Sequence, residues 1–307
     1  MCFLRTFFAC VFTLLFALTG LANAKNVDVE LPKLNLPKLD TKKKTATPAP
    51  EIMPIGSLRI SATLTDDGKP IESGMIWRVF SAEPEANGKL KLMAKASGGS
   101  TDILLAPGEY LVHAAFGRAG ATKRVIIEDK PVVEKLVMDA GGLALNATES
   151  TGTAILAFKL KFSIYEAEAG ADGEKRLIVG DIAPGTVVRL NSGAYHIVSN
   201  YGGVNAIMRT DVRVEAGVIT EATVQHRAAD IILKLVSEKG GEALADTAWS
   251  VFTESGELLF ESVGAYAPVV LAEGTYSAVA KHRDRIFERE IEVKSGQNGE
   301  VEVLATF

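Results

Sequence analysis

Three tyrosines, Tyr110, Tyr195 and Tyr276, each close a copy of one short pattern. That pattern constrains the fold more than any other feature of the 307 residues. Gly108, Gly193 and Gly274 lie two residues before the tyrosines, and Leu105, Leu190 and Leu271 five before, in LLAPGEY, RLNSGAY and VLAEGTY. Upstream, WRVF (77–80), FSIY (162–165) and WSVF (249–252) share an aromatic, any, aliphatic, aromatic order that begins at Trp77, Phe162 and Trp249. Trp77 to Tyr110 and Phe162 to Tyr195 are both 33 residues, whereas Trp249 to Tyr276 is 27, which implies a shorter intervening hairpin. Downstream, Val125 and Ile127 match Val212 and Val214, then Ile291 and Val293. Landmarks in fixed order at near-fixed spacing are the mark of tandem copies of one unit. The spacing divides the chain into repeats at 57–139, 140–227 and 228–307.

Within each repeat the pattern is that of strands. SLRISATL, GMIWRVF, YLVHAAF and KRVIIE alternate apolar and polar residues between the turn signals Asp67-Gly68, Asn87-Gly88, Gly98-Gly99 and Pro107-Gly108. Alternation places every second side chain on one face, as a half-buried strand requires. With no sustained helical periodicity, the expected fold class is all-β: three tandem antiparallel β-sandwich domains of six or seven strands each. A domain of about 80 residues buries only about two thirds of its unfolded surface, so large aromatic residues must supply much of the core. Trp77, Phe162 and Trp249 are expected between the two sheets, and each tyrosine at a sandwich corner with its hydroxyl bonded to upstream backbone. The links DAGG and HRAAD are short, which predicts stiffly coupled domains.

The Leu-x-x-Gly-x-Tyr corner, its strand and a closing strand such as TKRVIIE resemble the transthyretin-like or carboxypeptidase-regulatory-like sandwiches of bacterial exported proteins. The corner is also similar to the Asp-x-Gly-x-Tyr corner of immunoglobulin domains. The resemblance covers about 250 residues through the repeats, counted from Ser57. It implies export and a binding or scaffolding role but no chemistry, because the shared positions are framework positions.

The N-terminus agrees with export. Arg5 precedes an apolar run from Phe7 to Leu21, which ends in Ala22-Asn23-Ala24. This is the arrangement of a cleaved signal peptide (1–24), and the run is short for a spanning helix. Both cysteines, Cys2 and Cys10, fall inside it, so cleavage leaves a chain without disulfides, cysteine nucleophiles or zinc thiolates. Residues 25–56 carry five prolines, six lysines, four acids and no aromatic residue, and read as a disordered tether in which LPKL occurs twice. The formal net charge is −5 for the whole chain and becomes −6 without Arg5; the body from Ser57 onward carries −8. A field of that sign repels nucleic acid.

No residue set points to catalysis or a cofactor. His113, His196, His226 and His282 lie in no metal-binding spacing and read as scattered surface or rim residues. Asp66-Asp67-Gly68 is a hairpin turn lacking the oxygens that calcium needs. Gly98-Gly99 and Gly202-Gly203 precede no helix and so cradle no phosphate. Serines occur without a nucleophile elbow, and Asn146-Ala147-Thr148 is a sequon of consequence only in a eukaryotic host. Gly117-Arg118, Gly202-Gly203 and His282-Arg283 occupy equivalent hairpin positions and are candidate contact loops. The expected function is a non-enzymatic, cofactor-free scaffold or protein-binding module of the bacterial envelope, periplasmic or extracellular. Its expected partner is another envelope or extracellular protein or a glycan. A carbohydrate- or peptide-binding adhesin is the first alternative, and a hydrolase or hydrolase accessory subunit with unrecognised carboxylates the second.

Overall fold

The computed structural model describes residues 56–306. The signal peptide and nearly all of the tether expected from the sequence lie outside these residues. Seven strands build the first sandwich: β1 (Gly56–Thr63), β2 (Met75–Pro84), β3 (Leu90–Gly98), β4 (Thr101–Leu105), β5 (Gly108–Phe116), β6 (Ala119–Ile127) and β7 (Val132–Val137). The second contains β8 (Ala140–Glu149), β9 (Leu160–Ala169), β10 (Lys175–Ile182), β11 (Val187–Asn191), β12 (Gly193–Tyr201), β13 (Ala206–Val214) and β14 (Ile219–His226). The third contains β15 (Ala228–Val236), β16 (Thr247–Thr253), β17 (Leu258–Val263), β18 (Tyr266–Ala272), β19 (Gly274–His282), β20 (Arg285–Val293) and β21 (Gly299–Leu304).

The topology is the same three times. A three-stranded sheet (β4-β1-β7, β11-β8-β14, β18-β15-β21) faces a four-stranded sheet (β3-β2-β5-β6, β10-β9-β12-β13, β17-β16-β19-β20). Neighbours pair antiparallel except where the first strand of a repeat meets its last. There β1 and β7, β8 and β14, and β15 and β21 run parallel. Each repeat is thereby closed by its own terminal strands. The shortening inferred in the third repeat falls in its first hairpin: β2 and β3 span 10 and 9 residues, β16 and β17 only 7 and 6.

Trp77, Phe162 and Trp249 lie between the sheets, each at most 1% exposed. A buried indole must place its N–H. Trp77 Nε1 donates to the Gly99 carbonyl at 2.8 Å and Trp249 Nε1 to the Gly264 carbonyl at 3.1 Å. In both cases the acceptor lies in a two-residue connection, Gly99-Ser100 or Gly264-Ala265, between an edge strand of one sheet and the next strand. Phe162 has no such donor, and the corresponding connection in the second repeat is a four-residue loop, Ala183-Pro184-Gly185-Thr186. The aromatic residue and the sheet-to-sheet crossing are chosen together.

Candidate functional site: corners and joints

The three corners are alike. The hydroxyls of Tyr110, Tyr195 and Tyr276 donate to the carbonyls of Ala106, Asn191 and Ala272 at 2.9, 2.8 and 2.8 Å, four residues upstream each time. Leu105, Leu190 and Leu271 are buried beneath them. Two of the glycines sit against the rings: a Cβ on Gly108 or Gly274 would lie 3.4 or 3.5 Å from the tyrosine hydroxyl, whereas one on Gly193 would meet nothing within 4 Å. Tyr110 and Tyr276 are buried, and Tyr195 is half-buried. Burial raises the Tyr195 phenol above its ordinary pKa, with Glu166 adding to the shift.

Contacts that the local pattern does not announce occur between repeats. Seven residues after each corner tyrosine stands the tip of a hairpin, at Gly117, Gly202 or Arg283, and all three adopt positive φ (63°, 76° and 55°). The first two tips seat on the following sandwich, one residue before its corner leucine. A Cβ on Gly117 would fall 2.8 Å from Arg189 Cβ, and one on Gly202 would fall 2.6 Å from Val270 Cγ2 and closer still to Val270 Cβ. Real Cβ atoms do not approach so closely, so only glycine fits. A second contact also recurs: a Cβ on Gly217 would meet Thr65 Cγ2 at 2.9 Å, and one on Gly296 would meet Thr151 Cγ2 at 2.8 Å.

An asparagine side chain brackets each joint, from opposite sides. Asn191, in the receiving corner of the second sandwich, accepts from the Gly120 N–H at 3.1 Å. Its Nδ2 donates to the carbonyls of Gly120 (3.1 Å) and Met138 (2.8 Å). Asn205, on the seating hairpin of the second sandwich, accepts from the Ala272 N–H at 2.9 Å and donates to the Tyr276 hydroxyl at 2.8 Å. The Arg118 N–H adds a backbone bond to the Arg189 carbonyl at 3.0 Å, and Ser192 Oγ donates to Asp139 at 2.6 Å. At the second joint Lys159 pairs with Asp230, and Asn298 Nδ2 donates to Glu149 Oε1 at 2.9 Å. The apolar cores also exchange members there. Val270 packs into the core of the second sandwich and Val204 into that of the third.

The histidines separate into two kinds. His113 Nδ1 lies 3.0 Å from Thr122 Oγ1, and His196 Nδ1 lies 2.7 Å from Asp211, both on outer faces of the four-stranded sheets; His282 is half-buried beside the third tip. His226 overturns the expectation of a rim residue. It is buried in the second sandwich, its Nε2 is 2.7 Å from the buried Ser199 Oγ, and Tyr201 meets it edge-on with centroids 5.6 Å apart. Burial depresses its pKa to about 4, so it is neutral at pH 7. Strand alternation carries the signal, because His226 shares the inward face of β14 with Val224. Ser199 and His226 resemble a nucleophile and its base, but both are sealed from substrate. Among the described residues no group of three or more His, Cys, Asp or Glu could hold a metal ion, and no helix is long and apolar enough to cross a membrane. Asp66 lies in an exposed turn, where it accepts from Lys135 Nζ at 3.2 Å.

The second joint also carries a cleft of about 480 Å³. Its lining includes Phe158, Lys161, Asp181, Asn200, Phe260 and Pro268. Phe158 sits on the 3-10 turn Ala157–Lys159 and is 77% exposed.

Residues 230–305 match the model of a family described as the Rhizobiales growth-associated tandem repeat domain. The match begins within β15 and ends just after β21, so the family's unit corresponds to one seven-stranded sandwich. No curated protein matches the chain. Among solved structures, similarity is found to the Bacillus anthracis TIE protein, with 15% identity over 82% of this chain and 50% of that one, at a TM-score of 0.25. The chain thus spans half the length of that protein. A streptococcal ancillary pilin is 12% identical over 82% of this chain and 99% of its own, with a TM-score of 0.28. The minor pilin of Streptococcus agalactiae is 14% identical over 56% and 95%, with a TM-score of 0.30. What joins the third sandwich to the other two is the topology and corner that all three share.

Proposed function

We propose that this chain is an exported, non-enzymatic scaffold of a bacterial envelope, a set of sandwiches coupled in fixed orientation to hold or bring together other envelope components. The observation that carries the reading is the repeated joint. The same glycine-tipped hairpin is seated beside the same corner leucine twice, bracketed by an asparagine each time. Independent binding domains on flexible linkers have no need of such seats. The sealed Ser199–His226 pair and the body charge of −8 support a role without catalysis on polymers or contact with nucleic acid. Export rests on the N-terminal apolar run and Ala22-Asn23-Ala24, and the finer transthyretin-like resemblance rests on the corner pattern. The family description of the third sandwich points to cell growth as the process served.

The test is crosslinking in intact cells, followed by fractionation and mass spectrometry of the recovered chain and its partners. The expected result is a chain beginning at Lys25 in the envelope fraction, linked to a small set of partners through surfaces on more than one sandwich. Recovery from the cytosol with Met1 intact, or turnover of an envelope polymer by the purified chain, overturns the reading.

A further inference from the structure

We propose that the cleft at the joint of the second and third sandwiches is a saccharide-binding site, with Phe158 as its stacking platform. The proposal goes beyond the scaffold reading and does not depend on it, since the joint holds with or without a ligand.

The argument starts from Phe158. Phe158 leaves 77% of its surface in water and borders a cleft that Phe260 also lines, so its ring adds to one apolar groove instead of standing alone on the surface. The ring is exposed without being loose. Lys159 Nζ stands 5.9 Å from its centroid, and that lysine is tied across the joint to Asp230. Around the same cleft lie Lys161, Asp181 and Asn200. Neither Lys161 nor Asp181 has an ion-pair partner among the described residues, which leaves a donor and an acceptor facing the opening. Asp181 stands at φ 54°, a left-handed conformation that aspartate adopts more readily than most residues with a side chain. The volume lies within the ordinary range for small-ligand pockets.

The sheet edges decide the class of ligand. An extended peptide binds most readily by adding a strand to an open edge. Three edge strands border this cleft, and all are spoiled for regular pairing. β17, which holds Phe260, loses register between Leu258 and Phe260. β18 carries Pro268, which has no N–H to offer. β10 departs from regular register at three places along β9, the last of them between Val179 and Ile182, the stretch that holds Asp181. The remaining groups are one open aromatic face and a small ring of hydrogen-bonding side chains. A pyranose presents the complement: an apolar C–H face for the ring and hydroxyls for a carboxylate, an ammonium and an amide. The site occurs once in three repeats because Phe158 and Lys161 occupy positions where the first repeat has Ser73 and Ile76.

The test is a glycan array probed with the full chain, with an array of extended peptides in parallel, followed by titration calorimetry with the best soluble oligosaccharide. The expected result is saccharide binding that Phe158→Ala weakens at least about tenfold and Phe158→Tyr preserves within about threefold, with Lys161→Ala and Asp181→Asn weakening it by about three- to tenfold each. Because Phe158 is exposed, its variants keep the parent melting profile, so lost binding is not lost folding. Absence of saccharide binding, binding indifferent to Phe158→Ala, or peptide binding that depends on Phe158 overturns the proposal.

Discussion

Replacement of Gly202 by alanine should uncouple the second and third sandwiches while leaving both folded. Two costs arise and can be separated. The first is local: Gly202 has φ 76°, and an alanine in the left-handed region costs about 1–2 kcal/mol. The second lies across the joint. The new methyl would fall 2.6 Å from Val270 Cγ2 and nearer to Val270 Cβ, where carbon atoms rest at about 3.5–4.0 Å. The hairpin must therefore withdraw by about 1 Å or more, since the nearest atom is fixed to the β18 backbone and has no rotamer to change. A displacement of that size takes the 2.8–2.9 Å bonds of Asn205 out of hydrogen-bonding range. It also loosens the packing of Val204 and Val270, and full burial of a valine is worth about 1.5–3 kcal/mol. Coupling should fall by several kcal/mol, while Phe162 and Trp249, fully buried between their own sheets, keep each sandwich folded.

Gly203 is the internal control. It has φ 82°, and a Cβ there meets nothing within 4 Å, so Gly203→Ala carries the backbone strain without the collision. The assay is differential scanning calorimetry with amide hydrogen exchange at Ala272. The parent and Gly203→Ala should unfold the two sandwiches in one transition, slightly lowered in the variant. Gly202→Ala should split the transition and expose the Ala272 amide to exchange. Val270→Ala should fail to rescue it, because the closest atom is the Cβ that alanine retains. Equal behaviour of the two glycine variants, or a single transition in Gly202→Ala, refutes the reasoning.

Three further outcomes are expected. Trp77→Ala should destabilise the first sandwich by about 3–5 kcal/mol, read as earlier melting of that sandwich while the transition shared by the second and third persists. Tyr276→Phe should cost about 1 kcal/mol in denaturant unfolding and weaken the second joint as well, because the hydroxyl that bonds Ala272 also receives Asn205. His226, held neutral by burial with a pKa near 4 against about 6.5 unfolded, takes up its proton more readily in the unfolded chain. The second sandwich should therefore be at full stability above pH 6.5 and lose up to about 3 kcal/mol as pH falls towards 4. His226→Gln should flatten that part of its pH–stability profile.

How far the molecule could be read from its residues depends on where each contact partner lies. The corner was legible because its parts are local: the tyrosine, its glycine and the carbonyl four residues upstream sit on one turn, and each repeat displays them again. The joint was hidden by distance. Gly117 and Gly202 look like ordinary hairpin tips, and their requirement for glycine comes from Arg189 and Val270, more than 65 residues away on another sandwich. The parallel closing pair was hidden for a related reason, since alternation assigns a strand its two faces but not its neighbours. One clue was nonetheless present in the third copy. There the tip is Arg283, which adopts the same left-handed φ with a side chain in place and has no sandwich seated on it among the described residues. A glycine kept in two copies and replaced in the third is explained by what the tip touches, not by the turn itself. The same reasoning applies to the cleft: Phe158 stands 77% exposed at the second joint where the first repeat has Ser73, whereas Phe116 at the first joint is half-buried beneath Arg189.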